Sequence, residues 1–182
     1  MFINKGGLSL LFIAGTVLLA GNAMANDATI HITGSVVEQS CTVQATVQEL
    51  NLPSIAKGEV KDSSASGVSS VLRIPVTCTG ATTAKGSTVT MALLPAVTDV
   101  SSNGTVLLNK ASSSKAEGVG VSLLDQSGQL LTFNNGRPAT VHAALNGDSG
   151  NVILAAKYAK DGSASVTAGS VEVNVPFVLT YK

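Results

Sequence analysis

From residue 28 the chain alternates. Ala28, Ile30, Ile32, Gly34 and Val36 are apolar or small, and Thr29, His31, Thr33 and Ser35 between them are polar or titratable. Period two predicts a β-strand with one apolar face and one wet face. Similar short runs follow: Val43–Leu52, stopped by Pro53, then Val71–Cys78, Ser87–Leu94 and Val106–Leu108. Gly118–Leu124 predicts the first limb of a hairpin that turns at Asp125-Gln126-Ser127-Gly128 and returns through Gln129–Phe133. A short apolar set resumes at Val141, a further strand covers Asn151–Tyr158, and the last run is Ser170–Lys182. Pro75 predicts an edge or a bulge in its strand.

Turn signals separate these runs. Asn103-Gly104, Asn135-Gly136, Asn146-Gly147 and Asp161-Gly162 pair residues that tolerate positive φ. The small, polar stretch Lys57–Ser70 reads as a loop. No long 3.6-residue period occurs. The pattern is all-β, with about seven or eight short strands at the spacing of a sandwich. A small barrel fits the same alternation.

Ahead of the first strand, Met1–Gly7 carries one positive charge, Lys5, and Leu8–Ala20 is almost wholly apolar. Ala23-Met24-Ala25 supplies small residues at the third-last and last positions before a cut. This is the layout of a secretory signal peptide over residues 1–25, with the mature chain starting at Asn26. The apolar run is short for a bilayer span. The mature remainder is the size of one domain.

Charge and composition narrow the function classes. Lysine and arginine number 11, balanced by 11 acidic residues, and they are scattered. No basic patch is present for nucleic acid. Aromatic residues make up 3% with no tryptophan, which argues against a platform for stacking bases or sugars. Two cysteines, Cys41 and Cys78, allow one pairing, and an exported chain favours a disulfide over free thiols or half of a metal site. His31 and His142 stand apart from any acid–base cluster, and no Gly-x-Ser-x-Gly elbow occurs. No catalytic residue, metal or cofactor is expected. His31 is read either as a pH switch or ligand, or as a solvent-facing strand residue. Asn103-Gly104-Thr105 matches a glycosylation sequon but is read first as a hairpin turn.

The two ends of the mature chain carry the functional signal. In the last run Val173, Val175, Phe177, Leu179 and Tyr181 share one face. A sandwich whose last strand ends the chain lacks a further strand for its outer edge, and an open apolar edge is an aggregation hazard. At the other end lies an amphipathic strand set off by Glu38-Gln39-Ser40. An orphan strand and an orphan edge in one chain invite head-to-tail exchange between copies.

At these residues the chain resembles the chaperone–usher fimbrial subunits, close to those of type 1 pili. The signals are the amphipathic extension with Gly34 between Ile32 and Val36, the spacing of Cys41 and Cys78, and Gly118-Val119-Gly120-Val121 with Leu123-Leu124-Asp125. Gly169 ahead of the alternating last strand and the penultimate Tyr181 complete them. The resemblance implies an incomplete immunoglobulin-like β-sandwich lacking its last strand, completed by a donor strand from a partner. Residues 1–25 would then be the signal peptide, 26–36 the donor-strand extension and 37–182 the pilin domain. The donor positions implied are Ala28, Ile30, Ile32, Gly34 and Val36. The groove and chaperone-docking strand would use Gly169, Val173, Val175, Phe177, Leu179, Tyr181 and the carboxylate of Lys182.

The partners implied are neighbouring pilin subunits, a periplasmic chaperone and an outer-membrane usher, and no nucleic acid. The product would be an adhesive fimbria on the cell surface, reached through the periplasm. The readings kept beside this are a minor or adaptor subunit and, from another class, an exported β-sandwich that works as a monomeric binding module or enzyme.

Overall fold

The fold of the chain comes from a computed structural model that describes residues 28–36, 41–43, 47–65, 67–78, 88–134 and 137–181. The expected signal peptide, the Glu38-Gln39-Ser40 segment, the Asn135-Gly136 pair and Lys182 lie outside the described residues. Strand β1 is Ala28–Val36, β2 Cys41–Val43, β3 Val47–Leu52, β4 Ser70–Cys78 and β5 Thr88–Leu93. Then come β6 Leu107–Leu108, β7 Val119–Leu124, β8 Ala139–Ala144, β9 Ser149–Lys160 and β10 Val171–Tyr181. They form two five-stranded sheets, one ordered β3-β1-β10-β5-β8 and the other β2-β4-β9-β7-β6. The sandwich reading holds over the barrel.

The alternation builds the core directly. In β8, Ala139, Val141 and Ala143 are buried, and Thr140, His142 and Ala144 are exposed. β5 buries Val89, Met91 and Leu93 against them across the same face. From the second sheet Ile74, Val76, Leu123, Val152 and Leu154 are each 1% exposed or less. The layer between the sheets is therefore apolar from both sides, as sheet-on-sheet packing requires.

The structure corrects several local readings. Val43–Leu52 is two strands: β2 ends at Val43 in one sheet and β3 begins at Val47 in the other. The apolar residues change parity there, from odd positions 43, 45 and 47 to even positions 50 and 52, so one continuous strand could not bury them all. Gln129–Phe133 returns alongside β7 but forms an isolated bridge between Leu124 and Leu130 rather than a strand, with bonds from the Asp125 N–H to the Gln129 carbonyl and from the Leu131 N–H to the Leu123 carbonyl. Pro75 sits one residue beyond the last β2–β4 pair, Val43–Val76, and among the described residues β4 has no neighbour on that flank there. Its missing N–H is therefore tolerated. At Asn103-Gly104 the turn reading holds. Gly104 has φ +73°. The Asn103 Oδ1 accepts bonds from the Thr105 N–H at 3.1 Å and from the hydroxyls of Thr105 at 2.9 Å and Ser101 at 2.6 Å.

Candidate functional site: a strand slot between β3 and β10

One strand holds the first sheet together. β3 and β10 are neighbours of β1 and not of each other. β1 pairs antiparallel with β3 from Ala28–Leu52 to Thr33–Val47. On its other side it runs parallel to β10, from Ala28–Val171 to Val36–Leu179. Without β1 the sheet would have a gap one strand wide, with unpaired backbone on both rims and the core open below. At strand rise the nine residues reach about 30 Å, the length of that gap.

The apolar face of β1 closes the core. Ile30 and Ile32 are 0% exposed, level with Val173 and Val175 of β10, which are 2% and 0% exposed. Burying each isoleucine contributes about 1.5–3 kcal/mol. Gly34 lies level with Phe177. A Cβ at residue 34 would stand 2.5 Å from three carbons of the Phe177 ring. The ring fills the place where a side chain of β1 would go. Phe177 and Leu179 are each 1% exposed and stand level with Gly34 and Val36 of β1. Tyr181 ends β10 opposite Val89 of β5.

The start of β10 is fixed by contacts that the alternation does not reveal. Asn109, 6% exposed, donates from Nδ2 to the carbonyls of Ala116 and Ser170, each at 2.8 Å. Its Oδ1 accepts from the N–H groups of Ala111 and Glu172, each at 2.9 Å. Gly169 passes so close to the backbone of Ser114, Lys115 and Ala116 that no side chain fits. Beside it lies a hollow of about 130 Å³ lined by Ile55, Val60, Val119, Tyr158, Val166 and Val171.

Cys41 and Cys78 form the expected disulfide, directly opposite each other in the β2–β4 ladder. It anchors the chain just after the slot-filling strand. On the wet face His31 sits between two carboxylates. Its Nδ1 is 3.6 Å from Glu49 Oε1 on β3, and its Nε2 is 3.7 Å from Glu172 Oε1 on β10. His142 is remote from these groups, with its Nδ1 2.9 Å from the Thr90 hydroxyl on the outer face of β5 and β8.

In this single chain the occupant of the slot is the chain's own β1. A sandwich whose first strand fills the gap between two strands that do not pair, with a glycine of that strand set over an aromatic ring, defines a class. The chain belongs to the fimbrial protein family, whose profile matches residues 30–182. Over 178 residues it is 26% identical to the type-1 fimbrial protein A chain of Escherichia coli strain K12, covering 96% of this chain and 94% of that one. It is 27% identical over 180 residues to the fimbrial subunit type 1 of Klebsiella pneumoniae, with the same coverage. Its fold matches the crystal structure of the P pilus rod subunit PapA with a TM-score of 0.58, covering 79% of this chain and 99% of that one, at 21% identity. The fold class is the incomplete immunoglobulin-like sandwich expected of a pilin.

Sequence reasoning missed Asn109, Glu49 and Glu172. Asn109 follows the short apolar pair Leu107-Leu108 and carries no motif, and nothing in its neighbourhood announces a buried amide. Both glutamates occupy wet positions of alternating strands, which marks them as outward-facing but not as neighbours of one another's slot.

Proposed function

We propose that this fimbrial subunit polymerises by donor-strand exchange: the Ala28–Val36 strand of one copy fills the slot between β3 and β10 of the next. The observation that carries the reading is β1 itself. It is joined to the body beside a disulfide, it completes the core, and it occupies the gap between two strands that do not touch. A chain with no neighbour fills the gap itself, in parallel with β10, and parallel pairing is slightly less stable per residue than antiparallel. A copy whose strand leaves exposes its slot, and main-chain pairing with alternate side-chain burial gives the next strand its affinity.

Residues 26–36 are then the extension and 37–182 the pilin domain. A periplasmic chaperone would cover the slot first, docking along Val173, Val175, Phe177, Leu179 and Tyr181 and holding the carboxylate of Lys182. An outer-membrane usher would hand the chain to the fibre, which serves adhesion at the cell surface. The subunit has no catalytic role in this reading.

The test uses the native host. Cells whose only copy lacks residues 28–36 should show no fibres by electron microscopy, and the full-length chain should restore them. Fibres built from the shortened chain alone would refute the proposal. A second arm keeps a folding failure from deciding the matter: the purified mature chain, in moderate urea, should take up a fluorescent peptide of residues 26–40 and retain it through gel filtration. Failure to take it up at any concentration would count equally against exchange.

A further inference from the structure

The wet face of the first sheet is almost free of charge. Among the described outward positions, β1 carries Thr29, His31 and Thr33, β3 carries Glu49 and Asn51, and β10 carries Glu172, Asn174, Pro176, Val178 and Thr180. β5 and β8 add Thr88, Thr90, Ala92, Thr140, His142 and Ala144. The ionisable groups on this face are therefore two glutamates and two histidines, and both glutamates stand on the rims of the slot, one on each side of His31. Glu49 is directly opposite His31 in the β1–β3 ladder, and Glu172 is level with Thr29, two places along β10 from the position level with His31. The imidazole spans the gap between them, one ring nitrogen toward each. Lys110 follows Asn109 and gives its backbone N–H to the Glu172 carbonyl, but its ammonium pairs with Asp99.

We infer that Glu49 and Glu172 act as a charge clamp on residue 31, and that this clamp sets how readily the chain gives up its own strand. The inference rests on the donor-strand reading above. A cation at position 31 is held from both rims and slows release. An anion there is repelled from both rims and speeds it. The carboxylates act on the strand while it lies in this direction and register, because only there does residue 31 fall between them. The clamp is therefore a property of the self-closed chain, and a strand entering in another direction or register would not meet it.

The experiment measures uptake of one unchanging probe, the fluorescent peptide of residues 26–40, by the purified mature chain carrying His31, His31→Lys, His31→Gln or His31→Glu. Because the probe is the same throughout, differences in rate report departure of the chain's own strand. At low salt His31→Lys should take up the probe about fivefold more slowly than His31→Gln, equivalent to about 1 kcal/mol. His31→Glu should take it up about fivefold faster. In the Glu49→Gln/Glu172→Gln background, and in high salt, the ratio between the Lys and Glu variants should collapse toward one.

Equal rates for Lys and Glu in the wild-type background would overturn the inference. So would a Lys-to-Glu ratio that survives removal of the two carboxylates, since the charge would then be acting elsewhere. Absence of uptake by every variant would instead overturn the exchange reading and take the clamp with it. Wild-type uptake with rates indifferent to residue 31 would leave exchange standing and remove the clamp alone.

Discussion

Gly34 is where the slot tolerates least. No backbone strain reserves this position for glycine, so any cost of a larger residue comes from contact alone. A Cβ there would lie 2.5 Å from three ring carbons of Phe177. Favourable carbon–carbon contacts lie at about 3.5–4.0 Å, so ring and strand must separate by about 1 Å. The ring has little room to yield, because Phe177 is 1% exposed and is level with Leu93 of β5 on its far side. Overpacking of this kind costs about 1–3 kcal/mol. Stiffening the unfolded chain by replacing glycine returns about 0.4–1 kcal/mol. Gly34→Ala should therefore destabilise the self-closed chain by about 0.5–2 kcal/mol, and Gly34→Val by about 3 kcal/mol.

For a domain of this size each kcal/mol lowers Tm by about 2–4 °C, so Gly34→Val should melt about 6–12 °C below the wild type. Phe177→Leu supplies the control. In that background the ring is gone and Gly34→Ala should cost almost nothing, giving a coupling energy of about 0.5–2 kcal/mol in a double-mutant cycle. An unchanged Tm for Gly34→Val, or strictly additive effects in the cycle, would refute the claim that the ring fills the place of a side chain. In the native host the same substitution should stall fibre growth while leaving chaperone complexes intact, as seen by co-purification and electron microscopy.

Two further outcomes follow from other parts of the fold. Replacing Cys41 and Cys78 together by serine opens a loop spanning 37 positions and should cost about 4 kcal/mol, measured by urea unfolding against the oxidised wild type; a loss below about 1 kcal/mol would contradict it. Lys157 of β9 is 6% exposed and donates from Nζ to the Ala65 carbonyl, and burial lowers its pKa from the ordinary lysine value. Below the folded pKa both states hold the proton and the burial penalty is fully present. Between the folded pKa and the ordinary value the unfolded chain binds more protons, so stability rises with pH there. Relative to Lys157→Met, the wild type should gain stability as pH climbs toward the ordinary lysine range, and parallel curves for the two would count against the burial effect.

Much of the slot was legible because strands that close a core must alternate. Parity named the apolar faces of Ala28–Val36 and of the last strand and carried the division between wet and dry faces, whereas the register that sets Ile30, Ile32 and Gly34 level with Val173, Val175 and Phe177 comes from the ladder itself. The occupant was not legible. In the single chain Ala28–Val36 fills its own slot, and alternation alone does not say which copy's strand a slot receives. The break between β2 and β3 was missed although the parity shift near residue 47 signals it. Continuity of apolar character hid a change of sheet. The Asn109 contacts were out of reach for a different reason. A buried amide satisfying four backbone groups depends on where Ala116, Ser170 and Glu172 come together, and local pattern does not encode that.

The disulfide has a mechanical side. β2 is only three residues long and is paired with β4 alone, so by hydrogen bonds alone it would be a weak attachment. Yet any pull on the slot-filling strand enters the body of the domain at Cys41. The covalent link passes that load straight to Cys78 at the end of β4, a nine-residue strand paired with β9 along eight residues of its length. Force that would peel a short ribbon away one bond at a time is instead delivered in shear to the best-connected part of the second sheet.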